Sequence, residues 1–256
     1  MNPIKIKVVM NIMKVKLLLA CVIALSTIAT TLDTQSVLAQ ENIRTRTPVD
    51  TLKDNKSKMI AKYSPDNSLY CSATLIAPNI ALTSRHCAGK KKIEGDIGSI
   101  YPGQSGIRTP FGKMDITTYI PDASQDIAIL KGKESNKSND YKQYIKDFKI
   151  DVKGRKFEEL RGLIGKEVYS YGYPSDLVGS PQVKSEGQII DFDPYTQVLT
   201  TTIPTVEGQS GSGVFLKEND EFLGVLYGKK SNGNGQVAPI DERLKKWFDD
   251  NTKATY

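Results

Sequence analysis

Apolar residues in this chain occur in short runs that proline, glycine, asparagine or aspartate residues interrupt. The runs Ala73–Ile76 and Ile80–Leu82 flank a turn at residues 77–79, and this pattern predicts a β-hairpin. The run Ile127–Leu130 predicts a buried strand. Five further runs predict strands at Glu167–Tyr173, Gly187–Asp191, Gln197–Thr202, Gly213–Leu216 and Phe222–Tyr227. Many short strands without a repeat period favour an all-β fold, either barrels or a sandwich.

Helical patterning is confined to two places. Residues 241–256 predict a C-terminal helix, because Asp241 can cap its first turn. The apolar positions of this helix share one face: Ile240, Leu244, Trp247 and Phe248. We expect Trp247 to pack into the core. Residues 131–161 are charged and weakly patterned, which suits a connection between two parts of the fold, and Tyr141–Phe148 predicts a short helix within it.

The N-terminal segment has the pattern of an export signal. Residues 1–39 combine a basic start, a short apolar run at Leu17–Ile28 and small residues before a cleavage point after Ala39. The apolar run is too short to span a bilayer. We therefore expect a secreted, extracellular protein without stable membrane association after cleavage. Residues 40–66 are polar and are interpreted as a propeptide or an N-terminal segment.

Two cysteines, Cys71 and Cys87, remain after the expected cleavage. They lie at the two open ends of the predicted hairpin, and an even pair in an exported chain favours a disulfide. Closing a loop of this size stabilises by about 3 kcal/mol in the loop-entropy model. The alternative is two free, buried thiols.

The net charge of the chain is mildly basic and says little about function. The whole chain carries +6, and residues 1–39 contribute +3 from four lysines and one aspartate, so the remainder carries 6 − 3 = +3. The basic run Lys90–Lys92 is interpreted as a solvated loop. No aromatic and basic interleaving indicates a nucleic-acid module. We expect a monomer that does not bind nucleic acid.

A glycine-rich stretch supplies a candidate nucleophile. Ser210 stands between glycines in Gly208-Gln209-Ser210-Gly211, where the backbone can adopt conformations closed to other residues. A serine hydroxyl is a weak nucleophile and needs an adjacent base. The chain contains one histidine, His86. Taken alone, the serine pattern also fits an ordinary loop.

Three aspartates compete to orient the histidine. Asp126 directly precedes the predicted buried strand at Ile127, whereas Asp115 and Asp122 do not. A carboxylate in that position can hold an imidazole in one tautomer. A strand-capping aspartate is the alternative.

These motifs resemble those of chymotrypsin-like serine proteases. The resemblance is carried by Cys71–Cys87, which ends in Leu-Thr-x-x-His-Cys, and by Gly208–Ser212. Gly172–Pro174, Glu186–Ile189 and Val237–Ile240 are similar in particular to the glutamyl endopeptidase branch of Gram-positive bacteria. The order of histidine, aspartate and serine also matches. The resemblance covers about residues 60–250.

The resemblance implies a fold and a chemistry. The fold is two antiparallel six-stranded β-barrels, at residues 67–140 and 141–240, followed by the C-terminal helix. Catalysis would use His86, Asp126 and Ser210 on protein or peptide substrates, with the N–H groups of Gly208 and Ser210 as the oxyanion hole. No cofactor is implied, and one histidine with two cysteines is a poor zinc set.

Substrate specificity is where the chain departs from the glutamyl branch. Thr205 fits the threonine that binds a P1 carboxylate there, but Leu226, or Val225 on another count, stands where the branch has a histidine. Tyr227 and Gly228 would complete the pocket. The resemblance to the glutamyl branch favours glutamate as the P1 residue, and an uncharged P1 residue is the alternative. The rival classes are a non-catalytic secreted binding protein on the same fold and an esterase.

Overall fold

The computed structural model describes residues 46–65 and 70–253, which belong to one unit spanning residues 44–256. The expected signal segment, residues 1–39, lies outside the described residues. Within them the secondary structure is mostly β, in two antiparallel sheets, with three short helices. Among the described residues, no helix combines the length and apolar character needed to cross a bilayer.

The first sheet contains eight strands in the order β5-β8-β9-β4-β3-β2-β6-β7. Its strands are β2 Ile60–Ser64, β3 Cys71–Ala77, β4 Ile80–Thr83, β5 Ile93–Glu94, β6 Ser99–Pro102, β7 Met114–Asp115, β8 Thr118–Pro121 and β9 Ala128–Lys131. The chain between β7 and β8 joins the two ends of the sheet. Ile116 N donates to Gly98 O at 2.8 Å, and Thr117 N donates to Lys131 O at 2.8 Å. These bonds close the sheet into a barrel.

The second sheet contains seven strands in the order β1-β11-β10-β13-β14-β15-β12. Its strands are β1 Arg46–Pro48, β10 Glu167–Gly172, β11 Val183–Asp193, β12 Val198–Pro204, β13 Gly213–Leu216, β14 Phe222–Lys229 and β15 Asn234–Pro239. An additional pairing between β11 and β12 closes six of these strands into a second barrel. β1 extends that barrel along the free edge of β11.

The predicted hairpin explains how the two halves pack together. Every residue of β3 and β4 is buried. Leu75 and Ala81 point into the first barrel, whereas the side chains of Ile76 and Leu82 join the cluster that contains Phe215 from the second barrel. Because successive side chains of a strand point to opposite faces, a strand buried on both faces is continuously apolar.

The helices are α1 Asn139–Ile145, α2 Phe157–Arg161 and α3 Glu242–Thr252. Asp241 caps α3 as expected, since its carboxylate accepts a hydrogen bond from Leu244 N at 2.6 Å. Leu244 and Phe248 are buried in the cluster between the barrels, and Trp247 packs against it while remaining partly exposed.

The predicted all-β architecture, with two barrel-like sheets and a C-terminal helix, is confirmed. Three details differ from the sequence-based picture. β2 lies between β3 and β6 in the first sheet, although the barrel was expected to begin at residue 67. β5, β6, β15 and α2 were not predicted. The sheets also contain more than six strands each, because β1 and β5 are short additions and a bend divides β7 from β8.

Candidate active site

A histidine and an aspartate meet at the end of the first barrel. His86 lies in the turn that follows β4, and Asp126 lies in the loop before β9. His86 Nδ1 is 2.9 Å from Asp126 Oδ2, and the backbone N–H of His86 donates to Asp126 Oδ1 at 3.0 Å. Burial alone would raise the pKa of the Asp126 carboxyl, but the hydrogen bonds and charge of His86 hold it below its usual value. The Asp126 carboxylate therefore contacts both the ring and the backbone of His86.

The other aspartates considered from the sequence have different partners. Asp115 Oδ1 accepts hydrogen bonds from Ser99 Oγ at 2.6 Å and from Lys113 Nζ at 2.8 Å. Asp122 is buried and makes a two-pronged ion pair with Arg243 of α3, at 2.8 and 3.0 Å. Asp126 is thus the aspartate that lies at the histidine.

Additional side chains hold this corner together. Arg85 donates from one guanidinium nitrogen to the carbonyls of Asp122 and Ala123, both at 3.0 Å. The hydroxyl of Tyr119 lies within hydrogen-bond distance of the carbonyls of Arg85 and Gly89, and it can donate its single proton to either. Burial raises the pKa of Tyr119 well above its usual value, so the hydroxyl keeps its proton. The histidine turn and the aspartate loop are consequently fastened to each other.

Ser210 comes from the second barrel, in the turn between β12 and β13. Its Oγ lies 3.5 Å from the backbone carbonyl oxygen of Tyr227, and no hydrogen bond between Ser210 Oγ and His86 is found in the described part of the chain. Catalytic hydrogen bonds are often long or misaligned before substrate binds.

The glycines around Ser210 are required by the backbone. Gly208 has φ +87°, and a Cβ there would lie 2.2 Å from the carbonyl oxygen of Tyr173. Gly211 has φ +92°, and a Cβ there would lie 2.0 Å from the carbonyl oxygen of Ser72. Both positions therefore exclude other residues through conformation and through close backbone contact.

The carbonyl partners of this turn define the directions of the Gly208 and Ser210 N–H groups. The carbonyl of Glu207 accepts a hydrogen bond from Ser175 N at 2.9 Å, and the carbonyl of Gln209 accepts one from Ser212 N at 3.0 Å. In a planar trans peptide the N–H points opposite to the carbonyl. The N–H groups of Gly208 and Ser210 consequently point away from the carbonyls of Glu207 and Gln209, respectively. No hydrogen bond from either N–H group is found among the described residues.

Cys71 and Cys87 form a disulfide with an S–S distance of 2.02 Å, as the hairpin predicted. The bond ties the start of β3 to the residue after His86. The ring of His86 and the two sulfur atoms lie close together, but disulfide sulfurs are not thiolates and do not bind a metal as such.

The residues expected to bind the P1 side chain also come together. A Cβ on Gly235 would lie 2.6 Å from Thr205 Oγ1 and 2.8 Å from Leu226 Cδ1, so these two side chains meet over that backbone. Leu226 is buried, Tyr227 is partly exposed beside Ser210, and Gly228 pairs with Gln236 across the strands β14 and β15.

A sequence model described as Trypsin matches residues 50–247. The chain belongs to the trypsin family. No curated protein matches the sequence of this trypsin-family chain.

Solved structures share its chymotrypsin-like fold. A Glu endopeptidase in complex with MPD is 23% identical with a TM-score of 0.66, covering 82% of this chain and 97% of that one. The protease Anisep from Arthrobacter nicotinovorans is 17% identical with a TM-score of 0.58, covering 83% and 99%. The scabies mite inactivated protease paralogue S-D1 is 13% identical with a TM-score of 0.63, covering 80% and 96%. These likenesses concern the fold, which active and inactivated proteins share.

Several residues of this trypsin-family site had no signal in the sequence. Arg85, Tyr119 and Arg243 anchor the histidine and aspartate through partners far away in the chain. Ser72 is adjacent to Cys71 and was not identified from the sequence. Arg85 is adjacent to His86, and Ser72 is adjacent to Cys71, so their positions beside these motif residues were the one signal that could have indicated them.

Proposed function

We propose that this chain is a secreted serine endopeptidase that hydrolyses peptide bonds through His86, Asp126 and Ser210. The observation that carries the proposal is the double contact between Asp126 and His86, at 2.9 and 3.0 Å. The His86 side chain is 48% exposed, so the ring stays accessible while the carboxylate holds it. This pairing supports a histidine held in one tautomer for proton transfer.

The reaction follows from these roles. Ser210 Oγ attacks the carbonyl carbon of the scissile bond as His86 Nε2 removes its proton. The oxygen of the tetrahedral intermediate becomes negative and accepts hydrogen bonds from the N–H groups of Gly208 and Ser210, each worth about 3–4 kcal/mol in such sites. His86 then donates its proton to the leaving amine, and water hydrolyses the acyl-enzyme by the reverse sequence.

One movement is needed. Ser210 Oγ has to leave the Tyr227 carbonyl, at 3.5 Å, and rotate about χ1 toward His86. A bond of that length is weak, so the rotation costs little. We expect substrate binding to complete it.

Covalent labelling tests this proposal. A fluorophosphonate probe should attach to Ser210 in the wild-type protein, and Ser210→Ala should abolish both labelling and cleavage of fluorescein-labelled casein. A non-catalytic binding protein would remain unlabelled and inactive although folded. An esterase would be labelled and would hydrolyse activated esters but leave casein intact.

The pocket contacts favour an uncharged P1 residue over glutamate. Thr205 Oγ1 donates its proton to the carbonyl of Ile203 at 3.1 Å, and Thr201 Oγ1 donates to the carbonyl of Gly235 at 3.4 Å. A threonine hydroxyl has one proton, so both present acceptor lone pairs. The apolar Leu226 adds no donor, and a carboxylate without donors is costly to bury.

A mass-spectrometric cleavage profile on a denatured protein mixture tests this preference. We expect cuts after apolar or amide residues. Cuts mainly after glutamate would contradict it and would require another group to replace the histidine of the glutamyl branch. Sequencing the N-terminus of the secreted product tests the proposed export signal and shows whether residues 40–66 include a propeptide.

A further inference from the structure

Ser72 connects the first barrel to the turn that carries the nucleophile. It follows Cys71 in β3 and is fully buried. Its backbone N–H donates to the carbonyl of Ser210 at 2.8 Å, and its Oγ donates to the carbonyl of Gly208 at 2.9 Å. The N–H of Tyr173 donates to the same Oγ at 3.1 Å.

These contacts fix the direction of the Ser72 hydroxyl. A serine hydroxyl carries one proton and accepts through its lone pairs. Because the Tyr173 N–H occupies a lone pair, the proton is directed to the Gly208 carbonyl. The hydroxyl therefore acts both as a donor and as an acceptor. Because Ser72 is buried, water does not compete for either hydrogen bond.

Four consecutive peptide carbonyls of the turn, from Glu207 to Ser210, each have a defined donor. Ser175 N and Ser212 N hold the first and the third. Ser72 holds the second through its Oγ and the fourth through its N–H. The Gly208 N–H shares a planar peptide unit with the Glu207 carbonyl, and the Ser210 N–H shares one with the Gln209 carbonyl. The bond from Ser72 Oγ to the Gly208 carbonyl holds the peptide unit that lies between these two, and it therefore limits the rotation of both.

We propose that Ser72 is the positioning residue of the oxyanion site, acting through the Gly208 carbonyl to keep the N–H groups of Gly208 and Ser210 aimed at the reacting carbonyl. This role rests on the proposed protease function. Ser72 touches neither substrate nor reacting atoms. It supplies the only side-chain bond to these four carbonyls within the part of the chain that the structure describes.

The test removes the hydroxyl and compares two buried serines. In Ser72→Ala the turn keeps its sequence but loses the bond to Gly208. The matched control is Ser57→Ala, because Ser57 is equally buried and its Oγ donates to the Thr51 carbonyl at 2.7 Å, away from the site. Both variants lose a hydrogen bond from a buried serine hydroxyl to a backbone carbonyl, and Ser72→Ala also loses the bond from the Tyr173 N–H.

We expect Ser72→Ala to lower kcat about 10- to 100-fold, because small displacements of oxyanion donors have effects of this order. The KM for a fluorogenic peptide with the preferred P1 residue should stay within about threefold. A peptide aldehyde, whose hemiacetal oxygen occupies the oxyanion site, should bind more weakly by a factor similar to the loss in kcat. Ser57→Ala should leave all three quantities within about threefold.

Several outcomes would overturn the proposal. They are an unchanged kcat in Ser72→Ala, an equal loss in both serine variants, or an unchanged aldehyde affinity. If Ser72→Ala does not fold, Ser72→Gly replaces it, and failure of both to fold would assign Ser72 to folding instead of catalysis. If Ser210→Ala retained activity at the wild-type level, the protease mechanism itself would be refuted. The failure of the Ser72 proposal and the failure of the proposed function are therefore distinguishable.

Discussion

Replacing Arg243 with alanine should destabilise the protein at neutral pH and much less in acid. The guanidinium makes two hydrogen bonds to Asp122, whose side chain is 3% exposed, whereas the Arg243 side chain is 47% exposed. Arg243→Ala therefore leaves a buried carboxylate without its cation. The carboxylate keeps the hydrogen bonds from Ser124 and from Gln125 N.

The expected magnitude follows from this asymmetry. Removing one partner of a fully buried ion pair costs about 3–5 kcal/mol. Because Arg243 is about half exposed and Asp122 keeps other donors, solvent screening reduces this to about 1–2 kcal/mol. For a domain of this size each kcal/mol lowers the melting temperature by about 2–4 °C, so we expect a decrease of about 2–8 °C at pH 7.

The sign of the pH dependence comes from the carboxyl group. Burial alone would raise the pKa of Asp122, but the hydrogen bonds from Arg243 and from the loop N–H groups lower it below its usual value. A group with a lowered folded-state pKa stabilises the protein above its unfolded pKa of about 3.9, and this contribution is lost as the pH falls through the folded-state pKa. The difference between wild type and Arg243→Ala should therefore shrink below about pH 4.

Calorimetry from pH 3 to pH 7 measures this, with Lys246→Ala as control. Lys246 pairs with Asp250 on the same helix, but both side chains are exposed, at 78% and 44%. Such an exposed pair adds little stability, so the control should shift the melting temperature by no more than about 2 °C. A melting-temperature difference for Arg243→Ala that is equal at pH 3 and pH 7, or no larger than that of the control, would refute the reasoning.

Three other outcomes are expected at the site. His86→Ala combined with Ser210→Ala should lower kcat no further than either change alone, because triad members act as a unit; single-turnover assays test this, and additive losses would contradict it. Gly211→Ala should destabilise by about 2–4 kcal/mol, from its positive φ and the contact with Ser72, and chemical denaturation measures it. Reducing Cys71–Cys87 with dithiothreitol should abolish casein cleavage before circular dichroism changes, since the bond adjoins His86; simultaneous loss would count against it.

Locally encoded features of the fold were predictable from the sequence. The β3–β4 hairpin was visible because proline and asparagine mark its turn, and α3 was visible because Asp241 caps an apolar face. β15, Asn234–Pro239, was not visible because it contains glycine, glutamine and proline and is ordered by pairing with β12 and β14. β2 was hidden by its polar surroundings. Strands defined mainly by their partners leave little local pattern.

The same division applies to the site. Asp126 was identifiable because it precedes a buried strand, and Ser210 because glycines surround it. The anchoring contacts join residues far apart in sequence: Arg243 and Asp122 are separated by 121 positions, and Ser72 and Gly208 by 136. Nothing in a single sequence reports such pairings.

The bond from Ser72 N to the Ser210 carbonyl has a consequence for hydrogen exchange. Most amide protons of β3 are protected by pairing within the first barrel, but this one is protected by a carbonyl of the second barrel. Exchange at Ser72 therefore requires the barrels to part or the whole protein to unfold. Under native conditions, a faster exchange at Ser72 than at its strand neighbours would measure how often the two barrels separate while each stays folded.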